Sequence, residues 1–312
     1  MLSRRSLLAL TSATAATRAL AGPAKTFRIG FQKGEPVLLA ARQRRSFETA
    51  LASLGVEVQW LEFPYGPPML EAMRVNSIDF GAVGDTPPIF AQAARADLVY
   101  VAARPSNGDG NGIVVPPGST LQSLADLRGK RLAFAQGSSA HNLTIAALDK
   151  ARLSYSDIQP VYLAPADAAA ALVRGSIDAW TIWDPYLAIA ESRPGVRLLA
   201  NGKDIAPENS FYLARRDYAT SQAHIVAIAV MVIAVTGTWC DQHRGEIAQL
   251  LSDGTGVPLG PMQVTMKRAS LNCVAMNDTL LDQQQQVAYR FYRLHLIPRA
   301  VNVRDFAWHG AA

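Results

Sequence analysis

The sequence predicts an α/β chain of two lobes, each a mostly parallel sheet flanked by helices, with a ligand cleft between them. Three observations carry this. Residues 71–87, EAMRVNSIDFGAVGDTP, recur in pattern as residues 170–186, AALVRGSIDAWTIWDPY: a helical run, Ser-Ile-Asp, a short strand, a turn, then Asp and Pro. Laying Ser77 on Ser176 brings Asp79 onto Asp178 and Asp85 onto Asp184. A weaker echo joins FRIGFQKG at 27–34 to KRLAFAQG at 130–137, each a strand that ends in a polar residue and glycine before a helical run. Finally, strands alternate with helices up to about residue 216 and then stop, which implies parallel sheets covered on both faces and a helical completion.

An Asp just after a strand and followed by Pro reads as a helix start, because the carboxylate accepts from the first free N–H groups and Pro suits the first turn. Asp85 and Asp184 are therefore expected to begin helices at the carboxyl ends of strands, where open α/β sheets bind ligands. With the loops after residues 31 and 135, four helix N-termini point at one place. Each offers unpaired N–H donors and roughly half a positive charge, which makes an anion site without a metal or a lysine cluster.

Taken in order, residues 26–31 read as a strand, 37–54 as one helix ended by Gly55, and 56–61 as an alternating strand. Residues 64–68 form a loop, 69–74 a short helix, then comes the first repeat, a helix at 88–94 and a buried strand at 98–103. The turn-rich stretch 104–112, RPSNGDGNG, reads as a crossing between lobes. The second lobe opens at 113–115, continues through strands at 131–135 and 161–163, and contains the second repeat. Residues 210–214 form a strand able to run back across the hinge, and 224–241, 244–251 and 284–296 are helical, the last with Asp282 as a candidate cap. The expected lobes are 22–104 with 215–312, and 105–214.

The 312 residues, 49% hydrophobic, can bury a large core. The formal charge of +5 falls once residues 1–21 are set aside, leaving 27 basic against 25 acidic side chains, with no clustered basic face for nucleic acid. Those residues have the layout of an export signal: Arg4 and Arg5, an apolar segment over 7–16, and Ala19-Leu20-Ala21 at the cleavage positions, so the exported chain is expected to begin at Gly22. Ser3-Arg4-Arg5-Ser6-Leu7-Leu8 has the form of a twin-arginine motif. The uncharged run 225–235 is shorter than a membrane span and reads as a core helix. Cys240 and Cys273 permit one disulfide or two free thiols, and no CxxC, HExxH or GxSxG occurs.

Thr86, Ser138 and Ser139 stand at helix starts, where a hydroxyl serves either as a cap or as a donor to a bound anion. His141 lies in a first turn, where the helix dipole favours the neutral ring, and is either an oxyanion donor or a satisfied surface histidine. Trp180 and Trp183 point to opposite sides of a strand, and Trp183, next to Asp184, is the one expected to line the cleft. Asp85 and Asp184 read as helix caps rather than a catalytic pair.

The segments FQKG, GDTPPIFAQAA, LVYV, DLRGKRLAFAQGSSAHN, SDIQPVYLAPADAAAAL, GSIDAWTIWDPY and LIPRAVNVRDFAW together resemble the aliphatic-sulfonate-binding proteins of bacterial ABC importers. The resemblance implies the two-lobed periplasmic-binding-protein fold of the second type. It also implies a soluble periplasmic protein without cofactor or metal, expected as a monomer, that hands sulfonates to a membrane permease driven by an ATPase. By motif, the ligand loops supply Gln32 and Lys33, Asp85 and Thr86, then Ser138, Ser139, Ala140, His141 and Asn142, and finally Trp183 and Asp184. Side-chain donation is expected from Gln32, Thr86, Ser138 and His141, and backbone donation near Thr86 and Ala140. Trp183 would wall the alkyl part, Phe211 would add apolar surface near the hinge, and Asp184 would recognise a positive group elsewhere on a ligand. Glu35 departs from the pattern, since a carboxylate there repels a sulfonate unless it caps its own helix. Residues 236–262 also fit the family poorly. The rival readings are a binder of another small anion or a pyrimidine, and a sulfinate desulfinase with a nucleophilic cysteine in a pocket loop. The cysteines here fall in the helical tail, against that chemistry.

Overall fold

The computed structural model of the chain describes residues 25–310, so the export signal read at 1–21 and the start at Gly22 lie outside the described residues. The chain runs through β1 (Lys25–Phe31), α1 (Pro36–Gln43), α2 (Ser46–Leu51), β2 (Val56–Glu62), α3 (Gly66–Arg74), β3 (Phe80–Val83), α4 (Thr86–Ala93) and β4 (Leu98–Arg104). It crosses to β5 (Asn111–Val115), β6 (Arg131–Phe134), α5 (Ser139–Lys150), β7 (Gln159–Tyr162), α6 (Pro165–Val173), β8 (Ala179–Trp183), α7 (Tyr186–Glu191) and β9 (Arg197–Asn201). It then returns as β10 (Ser210–Arg215) and closes with α8 (Arg216–Ser221), α9 (Ala223–Gln242), α10 (Arg244–Thr255), α11 (Leu259–Arg268) and α12 (Asp278–Arg293).

Two five-stranded sheets result, ordered β2-β1-β3-β10-β4 and β7-β6-β8-β5-β9. In each, the first three strands are parallel and the fourth is antiparallel to both neighbours. The repeat explains the match. The Asp79 carboxylate accepts from the Arg28 amide and Nε, both at 2.9 Å, and the Asp79 amide donates to the Arg28 carbonyl at 2.8 Å. Asp178 does the same with Arg131, at 2.7 and 3.2 Å to the carboxylate and 2.9 Å to the carbonyl. The preceding Ile78 and Ile177 are buried. The Ser-Ile-Asp signature therefore staples the third strand beside the first in both lobes.

Several expectations change. The return strand pairs with β3 and β4 over Ser210–Arg215, so the first sheet claims residues that the sequence reading left in the second lobe up to 214. The cause is backbone pairing: these amides and carbonyls are satisfied between β3 and β4, where an unpaired strand would be costly. The single helix read over 37–54 breaks at Arg45, whose φ is 53°, so that Phe47 on α2 can pack against Phe27 and Trp60. The loop read at 64–68 holds the first turn of α3, where Pro67 and Pro68 need no N–H partner. Asn277, not Asp282, caps α12 by accepting from the Leu280 amide at 3.0 Å, while Asp282 pairs with Arg304 at 2.8 Å. β9 and α11 were not anticipated as elements.

Helix α9 is long and apolar enough to cross a membrane by those two measures alone. It packs on α1 and α2 through Ile225, Val226, Ala229 and Ile233, all fully buried, which is a core role.

Candidate ligand-binding cleft

The loops after β1, β3, β6 and β8 face one another across a cavity of about 120 Å³. Gln32 and Glu35 come from the first loop, Gly84 and Pro87 from the second, Ser138 and Ser139 from the third, Trp183 and Asp184 from the fourth. The two crossings contribute Arg104 and Glu208, and α11 reaches over with Arg268. The lobes meet at glycines: a Cβ on Gly84 would lie 1.9 Å from Ser139 Oγ, and one on Gly34 would lie 3.1 Å from the Asp184 carbonyl. The arrangement is a closed one.

Five of the expected ligand residues line this cavity, Gln32, Ser138, Ser139, Trp183 and Asp184, and so does Glu35, the departure noted in the sequence. Gln32 Nε2 donates to the Ala82 carbonyl at 2.8 Å. Trp180 is core at 2% exposure, whereas Trp183 is half-buried against the cavity. Asp184 Oδ1 accepts from the Ala188 amide at 3.0 Å, so this aspartate does hold the start of α7. Its Oδ2 is buried without a partner, and burial, opposed mainly by the Arg268 charge, pushes the carboxyl up to about 7.

The other expected residues sit elsewhere. Lys33 is exposed, donating to the Thr255 carbonyl at 3.3 Å and standing 3.9 Å from Glu62. His141 is enclosed: the Gly137 amide donates to its Nδ1 at 3.2 Å, Nε2–H faces the Tyr155 hydroxyl at 2.9 Å, and the ring stacks on Phe134. Burial pushes it down to about 3, so it is neutral as expected, but both nitrogens are spent inside the fold. Ala140 is buried in the second-lobe core, and Phe211 packs edge-on against Tyr100, away from the cavity.

Asp85, Thr86 and Asn142 form an interlobe network instead of a cleft wall. The Asp85 carboxylate accepts from the Thr86 hydroxyl at 2.8 Å and from Asn142 Nδ2 at 2.6 Å. It does not cap α4 with its side chain. Gln284 donates to the Asp85 carbonyl at 2.5 Å, and Arg290 donates to the Asn142 carbonyl oxygen. Burial pushes Asp85 up to about 6, with these hydroxyl and amide donors pulling the other way. Ser139 is within hydrogen-bonding reach of both Asp85 and Glu208, and Glu208 is held well above the usual carboxylate range by burial and by the Asp85 charge.

The four helix starts are not equivalent donors. In α1, Glu35 accepts from the Leu38 amide at 2.5 Å and Pro36 has no N–H; in α4, Pro87 and Pro88 remove two donors; in α7, Asp184 takes the Ala188 amide. Only α5 among the four has neither proline in its first turn nor a side-chain cap bond. Its neighbouring hydroxyl, Ser138 Oγ, donates to the Ala135 carbonyl at 2.7 Å. The His141 and Asn142 amides both donate back to the Ser138 carbonyl, at 2.9 and 3.4 Å, and Ser139 is the α5 residue on the cavity wall.

Two cationic residues escaped the sequence reading. Arg104 ends the buried strand β4 and lies 3.4 Å from Glu35, with a buried Nε that makes no hydrogen bond. Glu35 thus faces its own helix, Arg104 and the Tyr212 hydroxyl, which donates to it at 3.1 Å. Arg268 pairs with Glu191 at 2.7 Å through Nη2, leaving Nη1 buried and unpartnered 3.6 Å from Asp184. Arg104 had a signal, being a charge at the carboxyl end of an apolar strand; Arg268 had none. Both cysteines are free, with Cys273 3.3 Å from the Tyr212 hydroxyl.

Two lobes built on one strand plan, joined by two crossings and closed over a polar cleft, define a substrate-binding protein. A family model described as ABC transporter, phosphonate, periplasmic substrate-binding protein matches residues 43–252, and the chain belongs to that class. Within it, the chain is a member of the aliphatic-sulfonate-binding family. A relative from Escherichia coli (strain K12) is 39% identical over 300 residues, 96% of this chain and 93% of that one. The alkanesulfonate-binding protein SsuA from Xanthomonas axonopodis pv. citri, bound to MOPS, is 39% identical with a TM-score of 0.86 over 92% of this chain and 98% of that one. The periplasmic aliphatic sulphonate binding protein SsuA from Escherichia coli is 39% identical with a TM-score of 0.84, covering 92% and 93%. The desulfurization enzyme DSZB shares the fold alone, at 16% identity and a TM-score of 0.63 over 91% and 96%.

Proposed function

We propose that the chain is the periplasmic solute-binding component of an ABC importer, taking aliphatic sulfonates into the interlobe cleft and delivering them to a membrane permease driven by an ATPase. One observation carries the reading: the uncapped start of α5 opens on a closed cleft also lined by Arg104 and Arg268, whose Nε and Nη1 make no hydrogen bond and are met only by looser ion pairs, to Glu35 at 3.4 Å and to Asp184 at 3.6 Å. Oriented N–H groups and delocalised guanidiniums suit a compact, dispersed anionic charge, and Trp183 offers an apolar wall for an alkyl chain. The lobes turn on the two crossings, after Arg104 and before Ser210. No cysteine lines the cleft among the described residues, and we read the protein as a monomeric binder rather than an enzyme. Export runs through residues 1–21, with the twin-arginine form, and cleavage falls before Gly22.

A thermal-shift and calorimetry panel tests this with alkanesulfonates against sulfate, nitrate and alkylphosphonates. A sulfonate at 100 times its Kd is expected to stabilise the protein by about 2.7 kcal/mol. Equal stabilisation by sulfate or nitrate, or sulfite released from a sulfinate, would overturn the reading.

A further inference from the structure

We infer that the lobes close on their anion together with one proton from solvent, held at the seam between them by Asp85, Ser139 and Glu208. This deepens the proposed function and rests on it. Asp85 follows β3 in the first lobe, Glu208 stands two residues before β10, and Ser139 opens α5 in the second lobe. Their side chains meet over Gly84: a Cβ there would lie 1.9 Å from Ser139 Oγ and 3.7 Å from Glu208 Oε1, and Ser139 is within hydrogen-bonding reach of Asp85 as well. Asp85 and Ser139 are buried, and Glu208 is half-buried on the cavity wall. The proton count falls short. A serine hydroxyl carries one hydrogen and ionised carboxylates carry none, so Ser139 cannot donate to both acids at once. One more proton on the pair supplies the missing donor and removes one of two like charges.

The groups packed around the pair do not replace that proton. From α12, Arg290 faces Asp85 but donates to Asn142 and stands 3.8 Å from Asp149. From β4, Arg104 faces Glu208 but lies 3.4 Å from Glu35, and the Tyr100 hydroxyl is taken up by Gln92 and Gln284. The second lobe brings only the neutral Ser139 and Asn142, since His141 is uncharged and turned into its own lobe. Asp85 has Thr86 and Asn142 as further donors, which leaves Glu208 as the acid that keeps the proton. Both carboxyls respond accordingly: burial and the Asp85 charge hold Glu208 well above the usual carboxylate range, and burial pushes Asp85 up to about 6. A bound sulfonate adds a further negative charge in the cavity that Glu208 lines, favouring the neutral acid again. Opening the lobes withdraws Ser139 and Asn142 and readmits water, which favours the ionised forms. Closing on the anion therefore takes up a proton, and binding tightens as pH falls.

Calorimetry on the full chain with propane-1-sulfonate, in imidazole, Bis-Tris and Tris, reads the proton directly, because the binding heat then varies with the ionisation heat of the buffer. Wild type is expected to take up a proton at about pH 7; an uptake of zero, or a release, would overturn the inference. Glu208→Gln keeps a donor at the same place and cannot ionise. It is expected to bind more tightly than wild type, by a margin that widens about fourfold or more from about pH 5.5 to about pH 8, and to take up less proton. Asp184, raised to about 7 across the cavity, is common to both proteins and cancels in that comparison. A folded variant, checked by its melting curve, that weakens binding by one factor at every pH would overturn the inference while leaving sulfonate binding intact. Absence of sulfonate binding at any pH would remove the sulfonate reading, and this inference with it.

Discussion

Asp79 and Asp178 occupy one place in the internal repeat and do one job, stapling a third strand to a first. Asp85 and Asp184, six residues further on in each copy, have parted company. Asp85 is enclosed by the second lobe and by α12, and its carboxylate is saturated; Asp184 faces the cleft with an oxygen to spare. The difference arises from what packs around them. The first lobe is finished by a return strand and a helical tail, which deliver Arg215, Gln284 and Arg290 to its aspartates, whereas in the second lobe Asp184 meets only Arg268 from the end of α11. A shared backbone position fixes where an aspartate stands, and its surroundings decide whether it serves the fold or a ligand.

The largest effect should separate the two staples. Asp79 is 1% exposed and touches Arg28 and Arg215, while Asp178 is 31% exposed and holds Arg131 alone. Asp79→Ala is expected to cost about 3–5 kcal/mol in urea unfolding, since it strands buried charge, and Asp178→Ala about 1 kcal/mol. Equal losses would show that burial does not distinguish the lobes.

Next in size is the seam where the lobes meet. Gly84→Ala places a methyl against Ser139, and the overlap is expected to weaken sulfonate binding by about 1–3 kcal/mol. Small-angle scattering at saturating ligand should then show a larger radius than wild type; an unchanged radius and affinity would mean the contact is not needed for closure.

A smaller effect comes from pH. The folded-state Asp184 value of about 7 lies above its ordinary 3.8, so between the two the folded chain keeps a proton that the unfolded chain has lost. Its contribution is therefore present at low pH and fades as pH rises through about 7, opposite in sign to Asp178, whose lowered carboxyl loses its contribution as pH falls. The stability of Asp184→Asn relative to wild type is expected to grow from about pH 4 to about pH 7 and to level off above that. A flat difference would contradict a neutral, buried carboxyl. Smallest of all is Lys33→Gln, which should change sulfonate affinity by less than about 0.5 kcal/mol, because its ammonium is exposed and lies outside the cavity.

Much of this was legible in the sequence. The repeat located β3, β8 and the loops that carry Trp183 and Asp184, and the polar-glycine strand ends located Gln32, Ser138 and Ser139. Local pattern suffices there because each residue sits directly after its strand. His141 was misread because its cage is assembled from afar: Phe291 on α12 and Phe90 on α4 close over a ring that its own helix would leave at the surface. Arg268 ends a helix that opens on Gly260 and Pro261, with no strong apolar rhythm to tell which lobe it meets. The prolines after Asp85 were visible, but their effect on an anion site, two missing donors, was overlooked.

The placement of β10 sets an order of assembly. All five strands of the second sheet lie between Asn111 and Asn201, so that lobe can form as soon as its own stretch of chain has been made. The first sheet cannot, because β3 and β4 acquire their common neighbour only when Ser210–Arg215 has been synthesised. Until then β4, buried at every position in the finished protein, has no strand beside it. The lobe begun first is the last to close, and the growing chain must keep an apolar, unpaired strand from other partners in the meantime.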